Sequence, residues 1–209
     1  MSSFFKNKTK AEILVELSKK KIKFKIPHTF FFDVRQWLLN PDKITNSIIL
    51  NFKKKKIKYI VVRSSSKDED KLDESNAGKF YSQLKIPIKK NKIVLAIEKV
   101  IKSYKKYSGS VKILDNQILI QEMILNTSMS GVVFTKDLNT GANYYSINYD
   151  DVTGLTNTVT SGIGEFSNRT LLIYKKAFKQ IRSPRFKNLI LAVKNLEKKV
   201  KDENIDIEF

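Results

Sequence analysis

The sequence predicts an α+β fold built on antiparallel sheet, and three observations carry that reading. Runs rich in β-branched and aromatic residues follow one another without a helix between them, in QILIQEMI, SGVVFTKD and ANYYSINYDD. Between the second and third of these stands the turn signal Asn139-Thr140-Gly141, which makes them a hairpin. Two amphipathic stripes at helical spacing, Ile93 to Tyr104 and Phe186 to Leu196, supply long helices. The order is not the alternating βαβα of a doubly wound sheet.

Taken along the chain, Thr9-Lys10-Ala11-Glu12 has the form of a capping box. Ile13, Leu14 and Leu17 follow at helical spacing and predict a helix over about 10–20. In KFKIPHTFFFDV, Pro27 disfavours helix before it and the aromatics favour an extended, half-buried run. VRQWLLN and SIILNFKKK read as short helices. KYIVVRSS (58–65) is a short buried strand, and the polar segment after it reads as a loop. The stripe Ile93, Ile97, Val100, Ile101 and Tyr104 marks a helix that precedes the three strands already named. TLLIYKK is a further strand. SPRFKNLILAVKNLEKKV opens on Ser183 as N-cap with Pro184 in the first turn, and its stripe is Phe186, Leu189, Ile190, Val193 and Leu196. DENIDIEF alternates as a strand and stops there, so the chain is expected to be a fragment.

At 209 residues, 41% of them hydrophobic, the chain can bury a core as one large domain or two lobes. No run approaches the roughly 18 consecutive apolar residues of a membrane span, and MSSFFKNKTK lacks the apolar stretch of a secretion signal. A cytoplasmic protein without a membrane partner is therefore expected. The absence of Cys removes disulfide and thiolate chemistry, and a single His leaves little for metal or Ser/His sites. A formal charge of +19 suits phosphate backbones, yet 35 of the 40 cations are Lys and only five are Arg. Arg is the residue that forks onto guanine and stacks on bases, so nucleic acid is not the expected partner. The lysines accompany abundant Ile and Asn, and a solvated basic surface is the simpler reading.

Against that background a few residues could carry chemistry. Arg63 ends a hydrophobic strand and offers a fixed fork of donors suited to phosphate oxygens, with Ser64, Ser65 and Ser66 adding small donors. The bland alternative is a strand-end Arg paired to Asp68 or Glu69. Gly78 in NAGKFYS would let backbone approach a ligand closely, although an ordinary turn explains that residue alone, and Gly131 in SGVVFT invites the same caution. Asp206 and Glu208 alternate along a strand, so both project from one face and could hold a divalent cation between phosphates; Asp150 and Asp151 could add to it, or all four could be solvated. His28 beside Pro27 reads as structural.

Singly these features are weak, but their order is informative. VVRSSSKDED…ESNAGKFYS, ILIQEMI, MSGVVFTKDLNTG, INYDDVTGLTNTVTSG and DIEF together resemble the N-terminal ATP-grasp domain of the phosphoenolpyruvate synthase and pyruvate phosphate dikinase family, over about Lys10 to Phe209. The resemblance implies two lobes with antiparallel sheets and packed helices, ATP between them, expected over 1–115 and 116–209. Lys10 looks like the family's phosphate-binding Lys, although its glycine-rich G-G-K-G has become Lys8-Thr9-Lys10-Ala11 and Lys8 is an alternative. Arg63 matches the Arg that clamps the phosphates, and Ala77-Gly78 the loop that closes over them. Gln121, Glu122 and Met123 fall where the family lines its adenine pocket, largely through backbone groups. Asp206 and Glu208 match the acids that hold Mg²⁺.

In the family, ATP passes its β-phosphoryl group to a His on a separate swivelling domain, and the phosphate then goes to pyruvate. Such a domain works by positioning and charge neutralisation, which suits a chain with one His and no Cys. The carrier His domain, the pyruvate/phosphoenolpyruvate domain and a Q-x-R-P element after the acids are missing from this sequence. The isolated chain is thus expected to bind ATP and Mg²⁺ but to be incomplete for the full phosphotransferase reaction. The rival expectation is a non-catalytic basic module that binds nucleic acid or another polyanion on a degenerate ATP-grasp fold, or a domain that binds nothing well.

Overall fold

A computed structural model describes residues 4–66, 81–107, 112–161 and 169–209. It contains two compact units, one drawn from residues 7–20 and 26–123 and the other from residues 1–6, 21–25 and 124–209. Each holds a four-stranded antiparallel sheet with helices, in agreement with the α+β fold class.

In the first unit the strands are β1 (Thr29–Asp33), β2 (Tyr59–Ser65), β3 (Ser82–Pro87) and β4 (Gln117–Glu122), in spatial order β1-β4-β2-β3. The central places of β2 and β4 follow from their composition. Ile60, Val61 and Val62, like Ile118, Leu119 and Ile120, are consecutive and all buried, which requires cover on both faces. The helices are α1 (Lys10–Ser18), α2 (Val34–Leu39), α3 (Pro41–Lys54) and α4 (Lys90–Tyr107). Helices α3 and α4 bring Ile48, Phe52, Ile93, Ile97 and Val100 onto the face that carries Ile60, Val62, Ile118 and Ile120. The α4 stripe is buried as its spacing predicts, each full aliphatic burial being worth about 1.5–3 kcal/mol. Helix α1 meets β1 and β4, and its capping box forms in both directions: Glu12 N–H donates to Thr9 Oγ1 at 3.3 Å and Thr9 N–H to Glu12 Oε2 at 2.9 Å.

In the second unit β5 (Ser130–Phe134), β6 (Tyr144–Asp150), β7 (Thr170–Tyr174) and β8 (Asp206–Glu208) stand in the order β7-β6-β5-β8. The β5–β6 hairpin forms as the Asn-Thr-Gly signal predicts. Gly141 takes a left-handed φ of 68° in its turn, and Asp137 Oδ1 accepts the Thr140 N–H at 2.8 Å. Between β6 and β7 lies the short α5 (Thr158–Ser161). Helix α6 (Pro184–Val200) lays Phe186, Leu189, Ile190 and Val193 on Val133, Tyr145, Ile147 and Ile173. Ser183 occupies the N-cap without a side-chain cap bond, so Pro184, with its preset φ, is what opens the helix. Leu172 and Tyr174 of β7 are exposed.

Three features differ from expectation. Gln117–Glu122 lies inside the first sheet, so the units divide between Met123 and Ile124 rather than at 115/116. Ser82–Pro87 forms an unexpected edge strand with a register shift opposite Ile60/Val62 and a left-handed Lys85 (φ 52°), irregularities that break the alternating pattern. Helix α3 begins at Pro41, well before SIILNFKKK. Among the described residues no helix is long and apolar enough to cross a membrane.

Candidate functional site

Arg63 is half-buried near the end of β2, opposite Leu119 of β4. Strand alternation puts Val61, Arg63 and Ser65 on one face, with Gln117, Leu119 and Gln121 beside them on β4, while Ile60, Val62 and Ser64 face the α4 side. The Arg63 face is the one α1 meets: the Ala11 N–H donates to Ser65 Oγ at 2.9 Å. Thr9 Oγ1 donates to Gln117 Oε1 at 2.5 Å, and Gln117 Nε2 donates to Glu12 Oε1 at 2.9 Å. Lys10 therefore sits between two residues that are each tied to the strand pair, and Arg63 lies two residues from one of the ties. The alternative cation, Lys8, is paired with Glu16, which Lys20 also reaches at 3.5 Å. That pairing holds the Glu16 carboxyl below its usual range, the Lys8 hydrogen bond first among the causes.

Sequence reasoning did not anticipate the bond network that registers Lys10 to Arg63. Ser65 is fully buried, and its N–H donates to the Tyr104 hydroxyl at 2.8 Å. That hydroxyl donates in turn to the Gln117 carbonyl. A signal was present: Tyr104 is the one hydroxyl in an otherwise aliphatic α4 stripe, and a buried Tyr hydroxyl needs partners.

Gln121 shares the Arg63 face, and its Nε2 donates to Thr29 Oγ1 at 3.4 Å; Glu122 points to the other face, where its carboxylate accepts the His28 N–H at 3.3 Å. The Glu122 N–H goes to His28 O at 2.8 Å and the Met123 N–H to Tyr59 O at 3.0 Å. These two backbone donors are used within the sheet, so at Glu122 and Met123 a ligand would meet carbonyls and side chains instead. His28 has a structural role, its ring bonded to Asn51 and tilted against Phe52 at 4.9 Å. Ala77 and Gly78, like Asp68 and Glu69, lie outside the described residues.

In the second unit, Asp206 and Glu208 are exposed and share one face of β8, while Ile207 between them packs into the core. They face Phe134 and Val132 of β5 in register. Among the described residues no group of three or more His, Cys, Asp or Glu gathers as a metal centre. Asp150 and Asp151 do not extend the pair. Asp150 is buried and accepts from the Val152 N–H at 2.9 Å, the Thr153 N–H at 3.0 Å and the Thr158 hydroxyl at 2.6 Å, besides the Thr153 hydroxyl. Burial alone would raise its pKa, but these bonds outweigh it and hold the carboxyl well below the usual range. Asp151 bridges Arg169 at 2.5 Å and Arg185 at 3.1 Å. Gly131 answers to packing: a Cβ there would lie 2.1 Å from the Asn148 carbonyl oxygen of β6.

Each unit is an antiparallel sheet with helices, the first carrying Arg63 near a strand end and the second the Asp206 and Glu208 pair. Residues 33–208 match the profile of the family described as pyruvate phosphate dikinase, AMP/ATP-binding domain, and the chain belongs to that family. Among solved structures it is similar to the Ca. Korarchaeum cryptofilum dinucleotide forming acetyl-coenzyme A synthetase 1 in complex with coenzyme A, Ca-AMPCP and HgCl+. The identity is 13% and the TM-score 0.41, over 78% of this chain and 62% of that one. The chain thus spans less than two thirds of that protein, and the likeness carries no argument about function. No curated protein matched.

Proposed function

We propose that the chain binds Mg-ATP and presents its β-phosphoryl group to a His on a separate domain, as the nucleotide-binding part of a phosphoenolpyruvate synthase-like phosphotransferase, with pyruvate as the class of final acceptor. In this reading the two units are the lobes of an ATP-grasp domain. The observation that supports it most is the registration of Lys10 to Arg63 through Ala11 and Ser65, in a chain of an AMP/ATP-binding family. Lys10 and Arg63 take phosphate oxygens, Arg63 through its planar fork, and hold the charge that grows on the phosphoryl group. Gln121, Glu122 and Met123 lie against the base, and Ala77 and Gly78 approach the phosphates.

Asp206 and Glu208 fit a magnesium ion in donor chemistry: two hard carboxylates on one strand face, about 7 Å apart along the strand, suit a cation that takes one or two carboxylates and fills its other positions with phosphates and water. When bound, that ion neutralises charge on the phosphates. No nucleophile of this chain is required, and His28, bonded to Asn51, is not the phosphate carrier. Calorimetry of Mg-ATP binding tests the reading. Arg63→Ala removes a charge-assisted contact worth roughly 1.5–3 kcal/mol and should weaken binding by about tenfold or more; an unaltered affinity refutes the assignment.

A second reading has its own observation. At the end of the first unit away from Arg63, the exposed Lys53 to Lys56, Lys58 and Lys89 have no ion-pair partner among the described residues, and Lys90 alone is paired, to Asp42 at 2.8 Å. A lysine-only face suits sequence-indifferent contact with a polyanion. Affinity for a random duplex that falls steeply with salt and ignores ATP would favour it.

A further inference from the structure

We propose that Tyr104 is a positioning residue for the phosphate-binding side chains, acting through the Ser65–Gln117 strand pair; the proposal rests on the ATP-binding reading above. The Met123 N–H to Tyr59 carbonyl bond at one end of the β2–β4 ladder sets its alternation. By that alternation, Val61–Gln121, Arg63–Leu119 and Ser65–Gln117 are the pairs whose backbone groups face each other. At the last of them the Tyr104 hydroxyl stands as a third member. It accepts the Ser65 N–H at 2.8 Å and donates to the Gln117 carbonyl at 2.5 Å.

The same two residues are held from the α1 side. Ser65 Oγ accepts the Ala11 N–H, and the Gln117 amide accepts from Thr9 and donates to Glu12. Three segments, α1, α4 and the end of the sheet, are thus fastened at one strand pair. Lys10 lies between two of the fastened residues, and Arg63 is two residues up the strand.

Packing alone does not account for this hydroxyl. A Phe at 104 would keep the stripe wholly apolar, whereas a fully buried hydroxyl is costly unless it is hydrogen-bonded, as this one is on both sides. Its removal leaves the Ser65 N–H and the Gln117 carbonyl to close on each other or to admit water. Closure moves Ser65, and with it the start of α1 and Lys10; a water in place of the hydroxyl leaves a looser bridge at the same strand pair.

Tyr104→Phe keeps the ring and removes the bridge. Calorimetry with Mg-ATP and with adenosine, on wild type, Tyr104→Phe and Arg63→Ala, separates positioning of the phosphate ligands from general loosening. The expected result for Tyr104→Phe is ATP binding weakened about fivefold to tenfold, the order of one net hydrogen bond, with adenosine binding held within about twofold. Ser65→Ala, which cuts the tie on the α1 side, should behave alike and carries the test if Tyr104→Phe does not fold. If wild type binds ATP, Arg63→Ala loses it, and Tyr104→Phe binds as wild type or loses ATP and adenosine equally, the positioning role is overturned alone. If wild type binds no ATP, the ATP reading falls and this role with it.

Discussion

Gly131→Ala tests the second sheet at its tightest point. The new Cβ would lie 2.1 Å from the Asn148 carbonyl oxygen and 2.9 Å from the Tyr149 Cα, both backbone atoms, so no side chain can swing away to make room. Strand β5 cannot retreat toward its other neighbour, because the Gly131 N–H and carbonyl are bonded to Phe209 on that edge at 3.0 Å each. The β5–β6 pair must therefore open by more than an ångström at this register. Overpacking of a filled site costs about 1–3 kcal/mol, and weakening a ladder bond adds roughly 1 kcal/mol. The sum, about 2–4 kcal/mol, should appear in a urea titration followed by circular dichroism as a lower midpoint with little change in slope. A loss under about 0.5 kcal/mol, in the range of neutral surface changes, would show that the strands do not approach as described.

Two further outcomes are expected. Glu197 of α6 accepts the Tyr145 hydroxyl at 2.8 Å and pairs with Lys175 at 2.7 Å, both carboxylate contacts being largely buried. Burial, then the bond to Glu197, holds the Tyr145 hydroxyl far above the usual phenol range. Glu197→Ala should cost about 3–5 kcal/mol by stranding Lys175, and the double change Lys175→Met, Glu197→Leu should cost less than the single one; equal losses in thermal melts would contradict this. For Asp150, the folded pKa is depressed below the unfolded value near 4. Its contribution is complete above that value and drains away as pH falls toward the folded pKa, so Asp150→Asn should flatten the acid limb of stability between about pH 5 and 2. An unchanged pH profile in the variant would assign the acid sensitivity elsewhere.

The sequence shows some features plainly and hides others for physical reasons. The α1 capping box, the α4 and α6 stripes and the β5–β6 hairpin rest on interactions within a few residues, and they form as read. Strand β4 was readable as a strand but not as a member of the first sheet, because pairing partners are set by topology. Its unbroken Ile118-Leu119-Ile120 run was the available sign of a central position. At the site, the strand-end place of Arg63 and the shared face of Asp206 and Glu208 follow from alternation alone. Asp150 and Asp151 looked equivalent to that pair, and only the structure shows that neighbouring threonines, backbone amides and two arginines already occupy them. The ties from Thr9 and Ala11 to Gln117 and Ser65 were invisible, since the bonded groups lie 108 and 54 residues apart.

The central place of β4 in the first sheet also bears on how the chain folds. Thr29 waits for Gln121, 92 residues later, and Thr9 waits for Gln117. Closing such long loops before any contact rewards them makes the nucleus costly and folding slow. At a synthesis rate of about 5–20 residues per second, β1 and β2 would spend several seconds in the cell without the strand that joins them. During that interval the sheet that carries Phe30, Phe32, Ile60 and Val62 is incomplete, and these apolar side chains wait for β4 before their core can close.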